Sequence, residues 1–124
     1  MMKRALISVW NKEGVVELGQ FLQKNNIEIL STGGTQTALE NAGIKVRSVA
    51  DITGTGAVMG GRVKTLDPKI FGGILADKNN PSHLSDLLSI EGLEIDLVVV
   101  NFYPFINEAV NKKLPFAKAI EFID

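Results

Sequence analysis

Between positions 60 and 68 the chain reads Gly-Gly-Arg-Val-Lys-Thr-Leu-Asp-Pro. Arg62, Lys64 and Thr65 bring a planar cationic fork, a point-charge amine and a hydroxyl into four consecutive positions. A guanidinium grips phosphate or carboxylate oxygens in pairs, and an ammonium adds concentrated charge, so the trio suits a phosphorylated or amide-rich ligand. The two glycines ahead of it allow the backbone to approach such a ligand closely. An ordinary exposed basic turn has the same composition. The choice between them rests on what else the fold brings to this loop.

Thr32-Gly33-Gly34-Thr35 joins an apolar run to a helical pattern. Unpaired N–H groups at a helix start, with the helix dipole behind them, form an anion site, and Lys12 would add charge to it. A glycine-rich turn capped by Thr35 is the plainer alternative. The segment is neither a Walker loop nor a G-x-G-x-x-G fingerprint, which weakens ATP and dinucleotide readings. Asn101-Phe102-Tyr103-Pro104-Phe105 closes another apolar run with an amide and the only tyrosine of the chain. Pro104 holds Tyr103 extended, and the phenol is read either as a site group or as a packed ring with a bonded hydroxyl. Asp124 follows an apolar helical stripe and is read either as a site carboxylate or as a solvated tail group.

The elements that must position these residues follow from periodicity. Short apolar runs alternate with helical patterns, which predicts an α/β fold with a parallel sheet wrapped by helices. Ala5 to Val9 reads as a strand buried on both faces. Asn11 is expected as a helix N-cap with Glu13 in the first turn, and Val15, Leu18 and Leu22 form one apolar stripe. Asn25-Asn26 ends that helix, Ile27 to Leu30 is the next strand, and a short helix through Ala38, Leu39 and Ala42 stops at Gly43. Ile44 to Val49, alternating apolar and basic, reads as an edge strand. Positions 51–61 read as a loop, and 70–76 fit a strand or a helix equally. Leu84, Leu87 and Leu88 suit a helix, Ile95 to Val100 is the clearest strand, and two helical segments follow Pro104. Right-handed crossovers place the strand-to-helix turns on one rim of the sheet, where ligands of open parallel sheets bind. The turns at 9–12, 31–35 and 101–104 should therefore meet, with the Arg62–Lys64 loop folded over them.

Composition sets the bounds. The 124 residues fit one domain, 45% hydrophobic and 22% charged, as in soluble globular proteins. A net charge of −1 argues against nucleic-acid and membrane-surface partners, so any anion binding must be local. With no cysteine there is no disulfide framework or thiolate metal site, which fits a reducing cytoplasm. The N-terminal apolar run is too short for a signal peptide, and no run reaches membrane-spanning length. The single histidine, His83, reads as a solvated loop residue.

The segments at 5–12, 31–35, 60–68, 72–75, 101–105 and 123–124 fall in the order and spacing of a known family. Together they resemble the N-terminal IMP cyclohydrolase domain of the bifunctional purine-biosynthesis family PurH, over essentially the whole chain. GRVKTL paired with NFYPF is the specific part of that likeness. The resemblance implies a methylglyoxal-synthase-like, three-layer α/β/α sandwich around a mostly parallel sheet. It implies ring closure of 5-formamidoimidazole-4-carboxamide ribotide to IMP, with no metal or organic cofactor. Lys12, Thr32, Gly33, Gly34 and Thr35 would hold the ribotide phosphate. Arg62, Lys64, Thr65, Asn101, Tyr103 and Asp124 would surround the base, with Lys64, Tyr103 and Asp124 catalytic.

The resemblance also implies a homodimer, to which Phe105, Phe116 and Phe122 could lend apolar area; internal packing is the default for these rings. It implies that residues 1–124 are a cyclohydrolase domain cut short at its C-terminal end, without the transformylase domain. Three departures stand out: Trp10-Asn11 replaces the usual Ser-Asp, and Asp67 and Phe71 replace histidines. Asp67 would pair with Lys64 and hold it from substrate, or raise its pKa. Two other activities fit such a fold: a methylglyoxal synthase, and a non-catalytic nucleotide-sensing module.

Overall fold

The computed structural model describes residues 3–122. Four parallel strands form one sheet in the order β3-β2-β1-β4: β1 Lys3–Ser8, β2 Ile27–Ser31, β3 Arg47–Ser48 and β4 Leu97–Val100. β1 lies between β2 and β4, with Ala5 opposite both Ile29 and Leu97. Its apolar run is buried on both faces, as its continuous hydrophobicity predicts.

The strand period of two sorts the core into two layers. On one face Ala5, Ile7 and Ile29 pack with Val15, Leu22 and Leu39, which belong to helices α1 (Val15–Lys24) and α2 (Gly33–Asn41). On the other, Leu6 and Leu30 pack with Val49, Ile52 and Ile70 from α3 (Val49–Thr53) and α4 (Pro68–Leu75). The result is an α/β/α sandwich. Each fully buried Ile or Leu contributes about 1.5–3 kcal/mol through removal of apolar surface from water. α5 (Pro81–Ser89) packs outside α4, and a π-helical turn, Ile106–Val110, precedes α6 (Phe116–Ala119) and a 3₁₀ turn, Ile120–Phe122.

Several local expectations change. The first helix begins at Val15 after Gly14 at φ 77°, so Asn11 does not cap it; Asn11 Oδ1 accepts the Glu13 N–H at 2.9 Å, closing a turn ahead of the helix. Glu17, not Glu13, occupies the first helical turn. The edge strand at 44–49 shrinks to two residues, because Ile44 turns into the first core layer and Val49 starts α3. The loop expected from 51 opens as the end of α3, whose N-cap Ser48 accepts the Ala50 N–H at 3.3 Å. Residues 70–76 resolve as α4. His83 lies on α5, not in a loop, and its Nδ1 accepts the Asp77 N–H at 3.1 Å. Phe116 is 81% exposed, so internal packing does not hold for it.

Candidate active site

The three turns predicted to meet do so. A crevice of about 370 Å³ at the carboxyl ends of β1, β2 and β4 is lined by Lys12, Thr32, Gly34, Thr35, Asn101 and Tyr103, together with Lys64 from the mid-chain loop. A smaller cavity of about 150 Å³ shares Ser8, Lys64 and Tyr103 with it and adds Arg62 and Thr65. Asp124 lies outside the described residues.

At one end of the crevice stands the start of α2. Its first backbone bond runs from the Gln36 N–H to Thr32 O, so the N–H groups of Gly33, Gly34 and Thr35 precede the ladder. Thr32 is extended and its hydroxyl makes no cap bond. Two ammonium groups flank this helix start. A Cβ on Gly34 would stand 3.2 Å from Lys12 Cε, and one on Gly33 would stand 3.9 Å from Lys64 Nζ. Lys12 Nζ donates to Val9 O at 3.0 Å and Trp10 O at 3.2 Å. Positive charge of two kinds thus converges on one spot: the partial charge of the helix N–H groups and two ammonium groups, of which Lys12 is held by backbone carbonyls.

Two side chains are engaged differently from the expectation. The Thr35 hydroxyl neither caps α2 nor is left for a ligand. It accepts the Val9 N–H at 3.1 Å and donates to Val9 O at 3.0 Å, so Thr35 offers the crevice its backbone N–H. The Asn101 amide binds the turn after β1: Oδ1 accepts the N–H groups of Trp10 (2.7 Å) and Asn11 (3.2 Å), and Nδ2 donates to Asn11 O (2.9 Å).

The paired glycines serve a turn. Val58 and Val63 bridge antiparallel, and Met59, Gly60 and Gly61 all take positive φ between them. That left-handed tip aims Arg62 and Lys64 from a small hairpin, and neither glycine lines either cavity. Arg62 forms an ion pair with Glu121 of the terminal 3₁₀ turn. Lys64 makes no ion pair among the described residues. Asp67 Oδ1 accepts the Lys69 N–H at 2.8 Å as the N-cap of α4, and it forms no ion pair with Lys64 among the described residues.

Ser8 lines both cavities and was not anticipated; as the last residue of a central strand it is reachable from the strand-end rule. Glu121 has no such signal, being 59 residues from its partner.

The family of the MGS-like domain matches residues 14–124. The chain belongs to the MGS-like domain family. It is 48% identical over all 124 residues to the bifunctional purine biosynthesis protein PurH of Clostridium acetobutylicum, and covers 25% of that relative. Against the PurH of Staphylococcus aureus it is 49% identical over 123 residues, again covering 25% of the relative. The chain therefore spans about a quarter of the length of the curated relatives it matches. Among solved structures, the crystal structure of ForH superposes with a TM-score of 0.73 at 35% identity, over 82% of this chain and 51% of that one. The likeness to ForH supports the layer order of the sheet and its helices.

Proposed function

We propose that the crevice is the ring-closing site of an IMP cyclohydrolase, which converts 5-formamidoimidazole-4-carboxamide ribotide to IMP with loss of water. The observation that carries this reading is the pair of ammonium groups beside the start of α2, at one end of a crevice that continues into a cavity lined by Arg62, Thr65 and Tyr103. That division suits a nucleoside monophosphate, with its phosphate on the helix start and its heterocycle beyond. The similarity to PurH proteins supports the same reading.

In this mechanism the phosphate lies on the N–H groups of Gly33, Gly34 and Thr35 beside Lys12. Binding brings the ring carboxamide nitrogen against the formyl carbon, and this pose supplies much of the acceleration. A C–N bond forms, negative charge grows on the formyl oxygen, and that oxygen leaves as water. Lys64 stabilises the developing charge, Arg62 and Thr65 hold the base, Tyr103 relays the amide proton, and Asp124 is assigned to accept it by the family resemblance alone.

The test is an absorbance assay of ring closure beside calorimetry with IMP. Turnover that Lys64→Ala reduces, with the fold retained, is the expected result. IMP binding without turnover would indicate a sensing module, and methylglyoxal release from dihydroxyacetone phosphate would indicate a lyase.

A further inference from the structure

We infer that Asn101 is a positioning residue for the anion end of the crevice, acting through the turn at residues 9–11 and not on the heterocycle. The inference rests on the phosphate site proposed above. A primary amide has two acceptor lone pairs and two donor protons. In Asn101 both lone pairs go to the Trp10 and Asn11 N–H groups, and one proton goes to Asn11 O. One N–H remains. It cannot present the joint donor and acceptor that reads a ligand carboxamide.

The same turn is fastened from its other side. Thr35 Oγ1 closes on both backbone groups of Val9, so residues 9–11 are stapled to the start of α2 and to the exit of β4 at once. Between the staples lie the carbonyls of Val9 and Trp10, and these hold the Lys12 ammonium. A route of hydrogen bonds thus runs from the Asn101 amide through the Val9–Trp10 and Trp10–Asn11 peptides, whose carbonyls hold the ammonium, to a cation above Gly34. A lysine on a flexible stem loses rotamer freedom when it binds an anion, and one already held in place loses less. Removing the amide releases the turn, and Lys12 with it.

Trp10 is the only tryptophan of the chain, lies on the stapled turn and lines the crevice, so its fluorescence reports binding there. The full chain is titrated with inorganic phosphate and with ribose 5-phosphate, as wild type, Asn101→Ala, Asn101→Ser, Lys12→Ala and the Asn101→Ala/Lys12→Ala double variant. The expected result is about a tenfold weaker affinity for both ligands in Asn101→Ala. Asn101→Ser, which keeps one acceptor and preserves more of the turn, should fall between. In the Lys12→Ala background the further loss should nearly vanish, which a general loss of packing would not produce. Wild-type affinity for both phosphates in the Asn101 variants would overturn the inference. Equal losses with and without Lys12 would overturn it too. No response of the wild type to either phosphate would overturn the phosphate site itself, and the inference with it.

Discussion

An ammonium beside a helix start and one beside a developing oxyanion leave different kinetic signatures, and Lys64 stands where either role is open to it. Its amine is near Gly33, yet the same side chain lines the cavity that holds Thr65 and Tyr103. If it stabilises charge that exists only in the transition state, Lys64→Ala lowers kcat by about 10²–10³ with KM little changed. A rise in KM alone would make it a second phosphate ligand beside Lys12. Asp67 poses a cleaner contrast. Its carboxylate caps α4, so Asp67→Ala should lower stability by about 1 kcal/mol in urea unfolding, while Asp67→Asn, still a good cap, should match the wild type in stability and turnover. A gain of activity in Asp67→Asn would mean that the acid restrains Lys64 after all. Residue types were legible here and roles less so. The amine of Lys12 and the glycines of α2 meet at one crevice, as their types and places in the sequence predict, whereas the hydroxyl of Thr35 and the amide of Asn101 are claimed by backbone groups 26 and 90 or more residues away.

Elements long enough to show a period were readable: the buried stripe of α1 and the apolar runs of β1 and β2 stand as expected. Those that failed were short or ambiguous. α3 has five residues, too few for a 3.6 period, and only its Ser48 cap marks it. α4 looked equally like a strand because its apolar residues crowd together, although Asp67-Pro68 is a cap followed by a proline in the first turn. The packing of α4 depends on a missing side chain. A Cβ on Gly73 would collide with the carbonyl oxygen of Leu93, and the Gly73 carbonyl accepts the Ile95 N–H at 3.0 Å. Backbone is the obstacle, so it cannot rotate away as a side chain would. Gly73→Ala should therefore destabilise the protein by about 1–3 kcal/mol, outweighing a helix-propensity gain of about 1 kcal/mol or less. A lower midpoint of chemical unfolding is the expected reading, and an unchanged or higher midpoint would show that α4 can shift without cost.

Across the whole molecule the two ends of the sheet carry separate tasks. Parallel order gathers the carboxyl ends of β1, β2 and β4 into the crevice, which is why turns distant in sequence could be expected to meet. The amino ends carry ion pairs that no periodicity reveals. Asp96, just before β4, accepts the Arg4 N–H at 2.8 Å while its own N–H donates to Arg4 O at 2.9 Å, tying β4 to β1. Lys78 pairs with the same carboxylate, and Lys3 stands 3.7 Å away. Partial burial by itself would raise the Asp96 pKa, but the Lys78 hydrogen bond, the Arg4 N–H and the two lysine charges outweigh it and hold the carboxyl below 3.8, its ordinary value. The unfolded chain then binds the proton more readily than the folded one. The stabilisation is fully present above the unfolded value and is lost as pH falls through the lowered folded value. Asp96→Asn should be less stable than the wild type at neutral pH, and the gap between their urea midpoints should close in acid. Because the crevice lies at the other end of the sheet, its phosphate affinity should not follow that change. A gap that persists undiminished well below 3.8 would assign the loss to the shape of the Asp96 hydrogen bonds and not to its charge.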